Sequence, residues 1–427
     1  MEIKNVNAMQ ILDSRGNPTV QVEVELKTGE VGKFRVPSGA STGIHEACEL
    51  RDNRQDYFCG KSVEKAVENV LKVKSDLIGK AFTQKELDEK LIEVDGTENK
   101  TSLGANAILG ISVAFAKASA KFYKLDLHEY LYKLVNNINP SEKLSSDYKK
   151  NVHLFSNLIN GGMHAGNALN IQEFMVVSLF DTVKENVRAT SEIYHNLKKL
   201  IADKYGSDNT SVGDEGGFAP NVRSTSECLD LLVEAIEKSG YTGKVALAMD
   251  CAASDFYDKE NKTYEVEEGL HLNFKELTDY YNKLIEKYPI ISIEDPMDED
   301  DFDGWNYFLK NDKKLDKENP LTGNKDVLIV GDDLTVTNTK RIKISQDKEL
   351  CNALLLKINQ IGTLTESIEA HLMMGHNHTI VSHRSGETSD DFISDLATAM
   401  RSSIKLGAPA RSDRVAKYNR LLEIFNN

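Results

Sequence analysis

Several short apolar runs in the second half of the chain end in a charged or titratable side chain: KVALAMD at Asp250, PIISIED at Glu294 and Asp295, VLIVGDD at Asp332 and Asp333, NALLLK at Lys357, and HTIVSH at His383. In a β/α barrel such strand ends converge on one rim, where active sites are built. Asp250, Glu294 and Asp332 would then gather three hard carboxylate oxygens about one point, the donor set that holds Mg²⁺ while leaving positions open for ligand and water. A single acid at a strand end is as well explained by capping of the next helix. Three on separate strands, with no basic partner in the local sequence, repel one another unless a cation lies between them.

The other candidates gain meaning beside that rim. A lone rim lysine is more often a solvated charge or a carboxylate partner, but next to a divalent cation and a second lysine, Lys405 in IKLG, the ammonium of Lys357 is disfavoured and the amine becomes a usable base. His383-Arg384-Ser385-Gly386 combines a guanidinium, a hydroxyl and a glycine-freed backbone, which suits a phosphate, although four such residues alone also describe an exposed turn. Two glycine-rich segments carry further acids: Asn160-Gly161-Gly162-Met163-His164-Ala165-Gly166 leads to Gln172-Glu173, and Gly213-Asp214-Glu215-Gly216-Gly217 holds Glu215. If Glu173 and Glu215 meet, both cannot cheaply ionise, and one can stay protonated as a general acid. Pro37 to Gly43 (PSGASTG) has the small, flexible residues of a lid.

The elements that must hold these groups fall into two parts. Val20 to Leu26 (VQVEVEL) alternates as a half-buried antiparallel strand, with the turn DSRGNP before it. Val63, Ala66, Val67, Val70, Leu71, Leu77 and Ile78 follow helical spacing, Thr83-Gln-Lys-Glu86 is a capping box, and Asn106 to Tyr123 is an Ala-rich helix. The polar, aperiodic stretch Asn136 to Asn151 marks a boundary. Residues 1–140 thus read as an α+β capping domain, and 141–427 as short strands alternating with amphipathic helices, the pattern of a parallel β/α barrel. The wider gaps between strand ends leave room for an insertion.

With 427 residues, two domains fit the usual domain size of about 100 to 200 residues. Fifty-two basic against sixty-seven acidic residues leave a net charge of -15, so nucleic acid and anionic membranes are repelled at long range. Met1 to Gln10 lacks the pattern of a signal peptide, and no apolar run reaches the 18 or so residues of a membrane span. Five scattered cysteines without a C-x-x-C pair favour a reducing cytoplasm over a disulfide framework or zinc site. Phosphate-loop, dinucleotide and G-x-S-x-G motifs are missing. Glu299 to Lys310 starts like a calcium loop but ends in Lys, and His45-Glu46 lacks the second histidine of a zinc protease.

Along nearly the whole chain the segments DSRGNPTV, PSGASTG, DGTENK, QEFM, VGDEGG, AMDCAAS, SIEDP, LLLKINQIGT, VSHRSGET and APARSDRVAKYN resemble, in order, those of the enolase family. The resemblance implies a modified eight-stranded barrel and the glycolytic and gluconeogenic interconversion of 2-phosphoglycerate and phosphoenolpyruvate by a lyase. It further implies that Asp250, Glu294 and Asp332 bind a first Mg²⁺, and that Ser41 reaches a second Mg²⁺ that arrives with substrate. Lys357 would take the C2 proton, and Glu215, supported by Glu173, would help the C3 hydroxyl leave. Lys405 would pair with the substrate carboxylate, Arg384 and Ser385 would hold the phosphate, and Gln172, His164 and His383 would line the pocket. A homodimer is implied too, but Gln21 and Glu423 stand where the family commonly carries interface Glu and Arg, so its usual subunit ion pairs are missing. Two readings compete: another member of the superfamily, such as an acid-sugar dehydratase or racemase, which is not expected to keep the SGAST lid together with SHRSG, and a surface or structural protein that retains the fold without turnover.

Overall fold

The computed structural model describes residues 1–39, 45–145, 147–162, 165 and 167–426. The chain opens with an antiparallel sheet of β1 (Ile3–Leu12), β2 (Pro18–Leu26) and β3 (Val31–Arg35), with β2 in the centre. The alternation seen in the sequence has a physical use here: Val20, Val22, Val24 and Leu26 are all buried against helices. Those helices are α1 (Glu64–Leu77), α2 (Gln84–Asp95), α3 (Ala105–Phe122) and α4 (Leu127–Val135). Thr83 and Glu86 form the expected capping box at the start of α2.

α3 is buried almost all round and lies directly on the sheet. Two glycines set how closely it approaches. A Cβ on Gly32 would fall 1.9 Å from the Ala114 carbonyl oxygen, and one on Gly110 2.3 Å from a Val22 methyl. No larger residue fits at either position without parting helix from sheet.

The second part is a closed barrel. Its elements are β4 (Leu154–Asn160), β5 (Glu173–Ser178), α5 (Val183–Tyr205), α6 (Thr225–Lys238), β6 (Val245–Asp250), a small sheet of β7 (Tyr257–Asp258), β8 (Thr263–Glu267) and β9 (Leu270–Leu272), then α7 (Phe274–Lys287) and β10 (Ile290–Glu294). There follow α8 (Phe302–Asn311), β11 (Leu328–Gly331), α9 (Thr339–Lys348), β12 (Ala353–Leu356), α10 (Ile358–Ile361), α11 (Leu364–Met374), β13 (Thr379–Ser382), α12 (Phe392–Met400), β14 (Ser403–Lys405) and α13 (Ser412–Phe425). The barrel runs β4-β5-β6-β10-β11-β12-β13-β14 and closes on β4. The small three-stranded sheet is the insertion for which the spacing left room.

One strand departs from the parallel expectation. β5 pairs antiparallel with both β4 and β6, whereas the remaining barrel pairs are parallel. A parallel return needs a crossover that spans the sheet, usually a helix. Residues 161–172 contain no such helix among those described, so the chain comes straight back beside β4.

Phe155, Met175, Val177, Ala246, Ala248, Ile291, Leu328, Val330, Ala353, Leu355 and Ile380 point inward and fill the barrel as a packed core. A second apolar cluster runs without a break from β1–β3 and α1–α4 into α11, α12 and α13. Polar links reinforce that seam: the Asp88 carboxylate accepts from the Thr365 amide (2.9 Å), and Lys100 pairs with Glu366 (3.0 Å). None of the described helices is long and apolar enough to cross a membrane.

Candidate active site

The groups singled out from strand ends do meet on one rim. Asp250 ends β6, Glu294 ends β10 and Lys405 ends β14, while Asp332, Lys357 and His383 follow β11, β12 and β13 by one residue. Because β5 runs the other way, its first residue, Glu173, reaches the same rim and pairs in register with Asp250, which in turn pairs with Glu294. Three acids on adjacent strands at one level therefore face one another. One pocket is lined by Asp250, Asp332, Lys357, Lys405, Glu173, Glu215, Gln172, His383, Arg384 and Ser385, with Glu46 from the N-terminal part. Ser41 and His164 lie outside the described residues.

The two lysines divide the acids. Lys405 donates to Asp250 (2.9 Å) and Glu294 (2.8 Å) and sits 3.1 Å from Glu173. Lys357 donates to Asp332, whose other oxygen accepts from Gln360 (2.8 Å). His383 Nε2 lies 3.4 Å from Glu215, which also accepts from Asn157 (3.0 Å). Arg384 makes a paired contact with Glu46 (3.0 and 3.1 Å) and donates to Asn359 (3.1 Å). Arg15 reaches the Ser385 hydroxyl at 3.4 Å.

These contacts move the ionisations apart. Burial, then the charge of Glu215, raises Glu173 well above the ordinary carboxylate range, as expected of two acids sharing a site. Burial and the neighbouring Asp250 likewise raise Glu294. Burial would also raise Asp332, but the Lys357 ammonium outweighs it and the net shift is downward. His383 is pushed down to about 4, chiefly by burial, so its imidazole is neutral. Lys357 departs from the sequence expectation: burial lowers it, yet Asp332 beside it wins, and the side chains by themselves hold it above the usual lysine value. A lowered lysine needs a cation to take over the Asp332 charge.

The donor chemistry fits such a cation. Asp250, Glu294 and Asp332 offer carboxylate oxygen only, which suits a hard divalent ion. Among the described residues, the group of three acids whose oxygens all lie within 4.8 Å of one another is Asp295, Asp332 and Asp333, overlapping the expected set only at Asp332. Asp295 is already committed, since its two oxygens accept from the backbone amides of Asp332 (2.8 Å) and Asp333 (2.9 Å). It holds the ligand-bearing loop rather than an ion, and does so from a strained backbone at φ 40°. Asp250 and Glu294 are drawn together by Lys405, and Asp332 follows the adjacent strand with Lys357 on it.

Sequence reasoning missed several of these groups. Asp295 adjoins Glu294 in SIEDP, and Gln360 follows Lys357 by three residues; both were within reach of the motif. Asn157 lies three residues before Asn160 in β4 and donates to its side-chain oxygen (2.8 Å), and Glu46 carries no sequence signal beyond the incomplete zinc motif.

Comparison with known proteins agrees with the geometry. Residues 3–131 match the family model described as "Enolase, N-terminal domain", and residues 152–427 match "Enolase, C-terminal TIM barrel domain". The chain is 48% identical over 429 aligned positions to a protein named Enolase from Methanocaldococcus jannaschii, covering 99% of this chain and 95% of that one.

Proposed function

The chain belongs to the enolase family, whose enzymes are phosphopyruvate hydratases of the lyase class, and from that premise we propose that it reversibly dehydrates 2-phosphoglycerate to phosphoenolpyruvate with Mg²⁺ in the cytoplasm. The observation that carries the reading is the split of the rim into two lysine–acid groups, Lys405 with Asp250 and Glu294, and Lys357 with Asp332.

Asp250, Glu294 and Asp332 would hold the first Mg²⁺, and Ser41 would join a second ion entering with substrate. Bound there, Mg²⁺ supplies positive charge where the substrate carboxylate becomes an enediolate. Lys405, freed from its acids, is placed to pair with that carboxylate. Lys357 removes the C2 proton. On the other side of the pocket, Glu215 would help the C3 hydroxyl leave as water, passing on the proton held by the neighbouring Glu173. Glu173, raised by burial and by Glu215, supplies the neighbouring protonated carboxyl, and neutral His383 donates or accepts without adding charge. Arg384 and Ser385 take the phosphate, with Gln172 and His164 completing the wall. Residues 1–140 serve as the cap and 141–427 as the catalytic barrel. We place a homodimer in the same reading, held with little help from ion pairs: Gln21 bonds Arg35 (3.0 Å) and Glu423 pairs with Arg420 (3.3 Å) within the chain.

The test is the ultraviolet absorbance of phosphoenolpyruvate on adding 2-phosphoglycerate and Mg²⁺. No rise from folded protein refutes the reading. Following deuterium at C2 separates the roles: Lys357→Ala should stop exchange with solvent, whereas Glu215→Gln should keep exchange and lose turnover. Parental exchange in Lys357→Ala would remove Lys357 as the base.

A further inference from the structure

The last helix, α13, buries a face that amphipathic patterning would fill with apolar residues, yet at one turn it carries Arg414, Lys417 and Tyr418, all almost fully inaccessible. Burying a guanidinium and an ammonium is costly unless their donors are used. Here they are. Arg414 donates to the carbonyl oxygens of Arg384 (2.7 Å), Ser385 (3.0 Å) and Asp214 (3.2 Å), and its Nε lies 3.2 Å from Asp413. Lys417 donates to Glu387 (2.6 Å) and the Thr388 carbonyl (2.7 Å), while Glu387 accepts from the Arg384 amide (3.2 Å). The Tyr418 hydroxyl donates to the Gly407 carbonyl (2.7 Å), and the next residue, Ala408, donates its amide to the Glu215 carbonyl (2.9 Å).

We infer that Arg414, supported by Tyr418, is a positioning residue that sets the spacing between the Glu215 subsite and the Arg384–Ser385 subsite. The inference rests on the enolase reading. In 2-phosphoglycerate the phosphate and the leaving hydroxyl sit on adjacent carbons, so the two subsites must keep one separation. Neither is in a barrel strand: Glu215 lies on the loop after β5 and α5, and Arg384–Ser385 on the loop after β13. One guanidinium bridges the carbonyls of both loops. Gly407 seals the junction at φ 76°, where a Cβ would fall 2.7 Å from the Glu215 carbonyl, 3.0 Å from the Arg414 stem and 3.2 Å from the His383 ring. Lys357 follows β12, the strand that pairs with β13, and its ammonium is held by Asp332 rather than by Arg414 or Tyr418.

The test compares Arg414→Lys with the parent in three measurements: turnover of 2-phosphoglycerate, exchange of its C2 hydrogen in deuterated solvent, and binding of inorganic phosphate. An ammonium cannot span three carbonyls as the planar fork does. Turnover should fall about a hundred-fold, the effect of a displacement near 1 Å, while exchange and phosphate affinity stay within about three-fold. Equal loss of all three, or no change in any, overturns the inference. Should Arg414→Lys fail to fold, Tyr418→Phe decides: a selective loss of turnover of about ten-fold supports the linkage, and parental turnover overturns it. A parent without exchange or turnover would instead sink the enolase reading itself.

Discussion

Replacing Asp88 by Asn should change how stability depends on pH, with a sign and size set by one buried contact. Asp88 lies in α2, fully buried, and its carboxylate accepts from the Thr365 amide (2.9 Å), the Thr365 hydroxyl (2.5 Å) and the Gln84 amide (3.1 Å). It thereby caps the start of α11 from the N-terminal part of the molecule. Burial dominates these bonds and raises the carboxyl from 3.8 to about 6. Because the folded value exceeds the unfolded one, the native state holds the proton more tightly, and stability falls as pH rises through that window. A gap of about two units corresponds to about 3 kcal/mol, present in full below about pH 4 and lost above about pH 6. Asn cannot ionise, so the variant lacks this slope. Urea unfolding of parent and Asp88→Asn from about pH 4 to 7 should show the variant gaining about 3 kcal/mol relative to the parent as pH rises. A constant difference, or a parent that gains, would refute the reasoning.

His371 should act in the opposite sense. It is buried, bonded to Thr379 (3.0 Å), and pushed down to about 3, mainly by burial, so its contribution is complete above the unfolded value and is lost as pH falls from about 6.5 toward 3. His371→Gln should flatten the acid limb by up to about 5 kcal/mol in pH-dependent urea unfolding. Gly32→Ala should cost about 3 kcal/mol, the upper end for overpacking because the obstacle is backbone, read as a lower urea midpoint. Chelation should abolish turnover and Mg²⁺ restore it, and Asp332→Ala should raise the Mg²⁺ requirement about ten- to a hundred-fold in a metal titration of activity.

Much of the barrel was legible because its strands are short apolar runs that stop at a polar group. Asp250, Glu294 and Lys357 announce the rim by that abrupt change. The direction of β5 was not legible from its residues, since EFMVVS reads the same either way and only the missing crossover before it decides. α4 went unnoticed although Tyr130, Leu131 and Val135 keep helical spacing, because the polar tract after it dominated that region. Local sequence also cannot say whom a long side chain meets. Lys405 read as a neighbour for Lys357, whereas its ammonium lies among Asp250, Glu294 and Glu173. Arg414 and Lys417 carry no local sign of burial, and only tertiary packing shows them turned inward.

The side chains that fill the barrel have a consequence for the groups above them. A floor of interlocked methyl and phenyl groups such as Phe155, Leu355 and Ile380 neither yields nor admits solvent. Dipoles standing on such a floor cannot reorient far when a substrate changes its charge, so little energy is spent in rearranging the surroundings during reaction. A change of charge at the rim must then be met by trading one counter-ion for another.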